Sequence, residues 1–176
     1  MAPTEVSPLE ILRNAVDMEL EGKEFFERAA ARMQNVRARD MFLSLVKQEQ
    51  RHVDILSSEL SRLEQGQGWA SLADMKAGAP RVTKISVFKD GQFRRFSLRE
   101  DAGELEVIRL GMDVEKKSVE YYRSAGQATP DTRAKEVFNW LVGEEAGHLT
   151  ILSAEYDNRS GSGFYYDSPE FSLEVF

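Results

Sequence analysis

Glu49-Gln50-Arg51-His52 and, 96 positions later, Glu145-Ala146-Gly147-His148 are the two stretches whose reading decides the fold. Between them they hold both histidines of the chain. On an α-helix, positions i and i+3 share a face, so each stretch aims one carboxylate and one imidazole at a common point. That is a metal-ligand arrangement, and the sequence supplies it twice.

Outward from His52 the apolar positions keep helical spacing. Phe42, Leu45, Val46, Glu49, His52, Ile55, Leu56, Leu60 and Leu63 predict the inner face of a helix from about Val36 to Gln65. Gln65-Gly66-Gln67-Gly68 ends it, because glycine suits the left-handed cap. Upstream, Ser7-Pro8-Leu9-Glu10 reads as a helix start, with a capping serine and a proline at the first helical position. The helix it opens runs to about Met33 and carries Leu12, Ala15, Val16, Glu19, Gly22, Phe26, Ala29 and Ala30 inward. One member of that apolar stripe is a carboxylate, Glu19.

The second Glu-x-x-His sits in a matching helical pair. Ser97-Leu98-Arg99-Glu100 reads as a capping box, followed by a helix from about Asp101 to Gln127 with Ile108, Gly111, Met112, Glu115, Ser118, Val119, Tyr122 and Ala125 inward. Thr129-Pro130-Asp131 breaks it. The last helix reaches about Tyr156, with Phe138, Leu141, Val142, Glu145, His148, Ile151 and Leu152 inward. Residues 66–99 differ in character: Val82–Phe88 and Phe93–Leu98 flank Asp90-Gly91, a spacing that predicts a small β-hairpin or a short helix within the crossover. The tail from Asn158 is first turn-rich and then aromatic, with Phe164, Tyr165, Tyr166, Phe171 and Phe176.

A shift of 96 residues superimposes the first helix pair on the second without a gap. Glu19/Glu115, Glu49/Glu145 and His52/His148 coincide, as do Phe42/Phe138, Leu45/Leu141, Ile55/Ile151 and Leu56/Leu152. Each hairpin therefore presents the same polar triad at the same depth. A lone Glu-x-x-His is ordinarily a surface pair, and a glutamate in an apolar stripe is ordinarily a boundary residue. Taken together the six resist that reading, since buried unpaired ions cost several kcal/mol each. Two divalent cations neutralise four glutamates and give both imidazoles a partner. Arg13/Asp17 and Arg109/Asp113 read as exposed i,i+4 ion pairs with no functional role.

The bulk composition agrees with one globular domain. The chain has 176 residues, 41% hydrophobic and 30% charged. A net charge of −7 argues against a nucleic-acid partner. The absence of cysteine removes disulfides, thiolate metal sites and thiol nucleophiles, and fits a reducing, cytoplasmic setting. Neither a signal peptide nor an apolar run of membrane-spanning length is expected.

One glutamate from each of two helices, plus Glu-x-x-His from each of the other two, is the arrangement of the ferritin-like di-iron carboxylate bundles. The sequence resembles the rubrerythrin branch of that superfamily. The resemblance rests on Met18-Glu19-Leu20-Glu21-Gly22-Lys23-Glu24-Phe25-Phe26 with Glu49-x-x-His52, and on Glu115 to Tyr122 with Glu145-x-x-His148; it covers roughly residues 8–156. It implies an all-α, ferritin-like four-helix bundle over 1–157, built from two repeated hairpins, with the crossover 66–99 inserted and 158–176 as an aromatic tail.

It implies as metal ligands Glu19, Glu49, His52, Glu115, Glu145 and His148, with Glu49 and Glu145 bridging or chelating, Glu19 and Glu115 terminal, and one imidazole per metal. Oxygen-rich ligation with one imidazole per metal suits iron or manganese, while zinc favours fewer oxygens; two iron ions are the implied cofactor, with manganese or zinc as alternative loads. Phe26 and Tyr122 are placed to wall the cavity, and Tyr122 to donate a hydrogen bond or an electron. The implied activity is reduction of peroxide or O₂ by a di-iron oxidoreductase, working as a homodimer with an external electron-donor protein. A ferroxidase feeding iron storage or delivery, and a metal-stabilised interaction module, are the alternatives.

Two departures from the family pattern stand out. The paired Cys-x-x-Cys motifs of a rubredoxin-like iron site are missing from a chain without cysteine. The extra glutamate that rubrerythrins carry one turn beyond the third-helix ligand is Ser118 here, and its repeat mate is Gly22. A more symmetric site is expected from that pair.

Overall fold

A computed structural model describes residues 7–78, 98–99, 101–161, 164–165 and 168–169. Its helices are α1 (Pro8–Arg32), α2 (Val36–Glu64), α3 (Leu72–Gly78), α4 (Glu104–Ala128) and α5 (Thr132–Ser160), followed by two short antiparallel strands, β1 (Phe164–Tyr165) and β2 (Ser168–Pro169). The four long helices form the ferritin-like bundle as two hairpins, α1 with α2 and α4 with α5, joined face to face chiefly through α1 and α4. Among the described residues, no helix is long and apolar enough to cross a membrane.

The helix boundaries follow local chemistry. Pro8 occupies the first turn of α1. The Asn35 side chain accepts from the Ala38 N–H to open α2, and Asp131 accepts from the N–H groups of Arg133 and Ala134 to open α5. Gly161, with φ 64°, takes the left-handed cap of α5. The third long helix begins later than the Ser97 box predicts: Gly103 is its N-cap, with Glu104 and Glu106 in the first turn, where carboxylates favour the helix dipole.

The crossover opens with α3 and is tied to the bundle by buried Glu59, which accepts the Ala70 N–H at 2.9 Å. Trp69 and Met75 from this segment join the core. The expected β-hairpin, over 82–98, lies outside the described residues except for Leu98, as do most of the tail aromatics.

Two apolar clusters fill the bundle. One includes Leu12, Val16, Ile55, Leu56, Phe138 and Leu141; the other includes Phe26, Phe42, Leu45, Ile108 and Leu152. Between them, at mid-length, lie the buried polar side chains Glu19, Glu49, His52, Glu115, Glu145 and His148. Gly111 permits the close approach of α4 to α1 there, because a Cβ would meet the Phe26 ring at 3.4 Å. One inward expectation is corrected: Ile151 is 44% exposed, whereas its repeat mate Ile55 is buried. Ile55 shares a cluster with Trp69 and Met75 of the crossover, and the described residues supply no such roof over Ile151. The expected Arg13–Asp17 pairing is also replaced, since Arg13 bridges to Glu64 at 2.7 Å across the hairpin.

Candidate metal centre

Each long helix contributes to the polar layer from an inward position. Glu19 comes from α1, Glu49 and His52 from α2, Glu115 from α4, and Glu145 and His148 from α5. None of the six exceeds 3% exposure, so the layer is shielded from bulk water.

Their ligand-capable atoms form two overlapping groups, within each of which all atoms lie within 4.8 Å of one another. Glu19, Glu49, His52 and Glu145 make one; Glu49, Glu115, Glu145 and His148 make the other. Glu49 and Glu145 belong to both. Both imidazoles turn Nδ1 toward the carboxylates. His52 Nδ1 lies 3.1 Å from Glu145, 3.3 Å from Glu19 and 3.6 Å from Glu49. His148 Nδ1 lies 3.0 Å from Glu49, 3.1 Å from Glu145 and 3.3 Å from Glu115. The rings stack with centroids 5.6 Å apart. The structure thus brings together all six residues singled out in the sequence.

One ring nitrogen cannot satisfy three carboxylates, and unmet demand is visible in the layer. Glu49 Oε1, Glu115 Oε1 and Glu145 Oε1 are buried without a hydrogen-bond partner. Orphaned anionic acceptors in a dry layer are what a bound cation satisfies, so the donor set fits a metal pair.

The protonation pattern tells the same story. Burial, then repulsion from Glu145 and Glu49, pushes Glu19 well above the ordinary carboxyl range, and burial with repulsion from Glu145 does the same to Glu115. Burial opposes ionisation of Glu49 and Glu145 as well, but at Glu49 the hydrogen bonds with Glu19, His148 and His52 outweigh it. At Glu145 burial and repulsion from Glu49 are outweighed by His148 and His52. Both carboxyls are held low. Burial disfavours charged imidazoles, yet Glu19, Glu144 and Glu145 raise His52 well above its ordinary value. Glu115, Glu145 and Glu49 push His148 up to about 12. Without a metal the layer therefore neutralises itself by holding protons.

Tyr122 is fully buried on α4, and its hydroxyl donates to Glu19 Oε1 on α1. Phe26 is likewise buried beside the layer. Ser118 turns its hydroxyl back to the Val114 carbonyl at 3.4 Å, and Gly22 leaves space over the Glu49 carboxylate, 3.9 Å from where a Cβ would sit. Sequence reading missed two neighbours of the site. Glu144 has Oε2 3.9 Å from His52 Nε2, and Trp140 donates its indole N–H to Glu144 Oε1 at 2.8 Å. Contact with His52 holds the Glu144 carboxyl down to about 2, burial opposing and Trp140 assisting. Their signal was the Trp140/Glu144 i,i+4 spacing beside a ligand.

A family model described as Rubrerythrin matches residues 10–156. No curated protein and no solved structure matches the chain.

Proposed function

The chain belongs to the rubrerythrin family, and from that premise we propose that it is a di-iron oxidoreductase reducing peroxide or O₂ with electrons from an external donor protein. The observation that carries this reading is the pair of four-residue ligand groups sharing Glu49 and Glu145 in a buried layer.

Glu49 and Glu145, common to both groups, would help to hold both metal ions, Glu19 with His52 would complete one group, and Glu115 with His148 the other. Two ferrous ions, when bound there, would supply the two electrons that with two protons reduce hydrogen peroxide to two waters. The protein's own contribution is to keep the ligands fixed and dry. Phe26, Leu45 and Leu152 pack beside the layer and exclude water. The Tyr122 hydroxyl donates to Glu19 Oε1 and fixes that carboxylate's orientation. Burial and the Glu19 charge keep that phenol protonated by raising its pKa well above the ordinary value, so its part is that of a hydrogen-bond donor. Gly22 and Ser118 place no carboxylate at those two positions beside the layer.

Protein loaded anaerobically with ferrous iron should hold two ions per chain and oxidise both per peroxide added. Glu49→Ala with Glu145→Ala should abolish binding. Iron retention by that double variant equal to the parent's would sink the assignment. Ferroxidase activity feeding storage is separated by size in solution: a homodimer supports the oxidoreductase, and a many-subunit shell supports storage.

A further inference from the structure

The two halves of the bundle repeat their inward ligands but not what stands behind them. Behind His52 lies a connected group from α5 and α3. Glu144 Oε2 faces His52 Nε2 at 3.9 Å, and its other oxygen accepts the Trp140 indole N–H at 2.8 Å. The Trp140 ring stands perpendicular to the imidazole with centroids 5.6 Å apart, and Lys76 Nζ lies 4.1 Å from the centre of the Trp140 ring. The positions equivalent by the 96-residue repeat are Gln48 for Glu144 and Ser44 for Trp140. These do not serve His148. The Gln48 amide donates instead to the Ser44 carbonyl on its own helix at 3.5 Å, and His148 Nε2 is buried with no hydrogen-bond partner among the described residues.

We infer that Glu144, steadied by Trp140, is a positioning residue that orients His52 for metal ligation and makes the two metal positions inequivalent. The inference rests on the di-metal reading of the site. Its chemistry is that of the outer partner of a metal-bound imidazole. When Nδ1 is the ligand atom, the ring's one remaining N–H is at Nε2, and an acceptor there fixes both tautomer and ring angle while raising ligand basicity. The 3.9 Å separation is about 1 Å beyond hydrogen-bond contact, a gap that a small tilt of the ring or carboxylate closes. Trp140 restrains the carboxylate from swinging into solvent, toward which Glu144 is 40% exposed. His148, with no acceptor at Nε2, is the weaker donor of the two. The duplicated ligand set therefore yields a tighter position at His52 and a looser one at His148.

Cobalt(II), titrated into metal-free protein with a competing chelator, tests this by stepwise affinity. The exchangeable imidazole N–H resonances shifted by the bound cobalt report the ring environments without reference to turnover. In the parent, two ions bind with distinct affinities, and two such resonances are expected. Glu144→Gln keeps the size of the side chain and removes its charge. It should weaken the tighter step by about 10–100-fold, leave the other step nearly unchanged and displace one N–H resonance only. Trp140→Phe should shift the same resonance in the same direction, and it serves as the measurement if Glu144→Gln does not fold. Gln48→Ala should leave both steps and both resonances as they were. Equal weakening of both steps by Glu144→Gln, or parental affinities with unmoved resonances, would overturn the inference. Failure of the parent itself to bind cobalt would overturn the di-metal reading instead.

Discussion

Loading the site with two divalent ions should expel about four protons, and that number follows from the layer's geometry. In the metal-free protein, burial and mutual repulsion favour the protonated forms of Glu19 and Glu115, while their carboxylate neighbours favour the charged forms of His52 and His148. Glu49 and Glu145 stay ionised. Two positive imidazoles thus balance two carboxylates, and four protons sit on six side chains. With metals bound, four ionised glutamates balance two dications and both imidazoles are neutral, so those four protons leave. The consequence is a steep pH dependence with a definite sign. Raising pH removes the competing protons and tightens binding, by up to about four powers of ten per pH unit for the pair, or roughly 5–6 kcal/mol at 1.4 kcal/mol per tenfold. Calorimetric titration at neutral pH, repeated in buffers of different ionisation enthalpy, counts the protons directly. A release of fewer than about two per pair of ions would refute the reasoning, because the glutamates would then be ionised beforehand or the metal would be bound elsewhere.

The same linkage governs the metal-free fold. Glu19 and Glu115, raised in the folded state, contribute stability that is fully present below the ordinary carboxyl value of 4.5 and is lost as pH rises through their folded values. His52 and His148 contribute fully below 6.5 and lose it likewise, whereas Glu49 and Glu145 contribute above 4.5 and lose it in acid. Melting of chelator-treated protein should therefore peak in mildly acidic buffer and fall toward about pH 9, and a midpoint rising steadily across that range would contradict the assignment. On the outer face of α5, an added Cβ at Gly143 or Gly147 meets nothing within 4 Å. Gly143→Ala and Gly147→Ala should each stabilise the chain by up to about 1 kcal/mol in denaturant unfolding. A loss of stability from either would show that a second surface, such as the other copy in a homodimer, lies against this face.

What the sequence made legible is what helical periodicity and the repeat can carry. Glu19 falls among Ala15, Val16, Gly22 and Phe26 at helical spacing, so its inward placement follows from its neighbours. Glu49 and His52, and then Glu145 and His148, are one turn apart in otherwise apolar stripes, and the 96-residue shift sets the two hairpins at the same depth. Long-range partners were not legible in this way. The Tyr122–Glu19 hydrogen bond joins residues of different hairpins, and periodicity shows that both face inward without showing which oxygen meets which hydroxyl. The start of α4 was misread because Ser97-Leu98-Arg99-Glu100 has the composition of a cap, while Gly103 performs that role. Ile151 is exposed where the repeat predicts burial, since Ile55 is covered by Trp69 and Met75 of the crossover and the described residues offer Ile151 no such cover.

That last discrepancy has the same origin as the asymmetry behind the two histidines. The two halves match along the inner faces, where Glu49 and Glu145 belong to both groups and His52 stacks on His148. A step outward, each position meets something the other half lacks: α3 places Lys76 over Trp140, and Trp140 in turn holds Glu144 toward His52. Ser44 and Gln48 occupy the corresponding places on α2, where the Gln48 amide donates to the Ser44 carbonyl of the same helix. A pair of like ligand sets held in unlike surroundings is therefore the expected product of two repeated hairpins joined by a single crossover. Any difference between the two four-residue groups is to be sought in that outer layer, not among the six inward side chains.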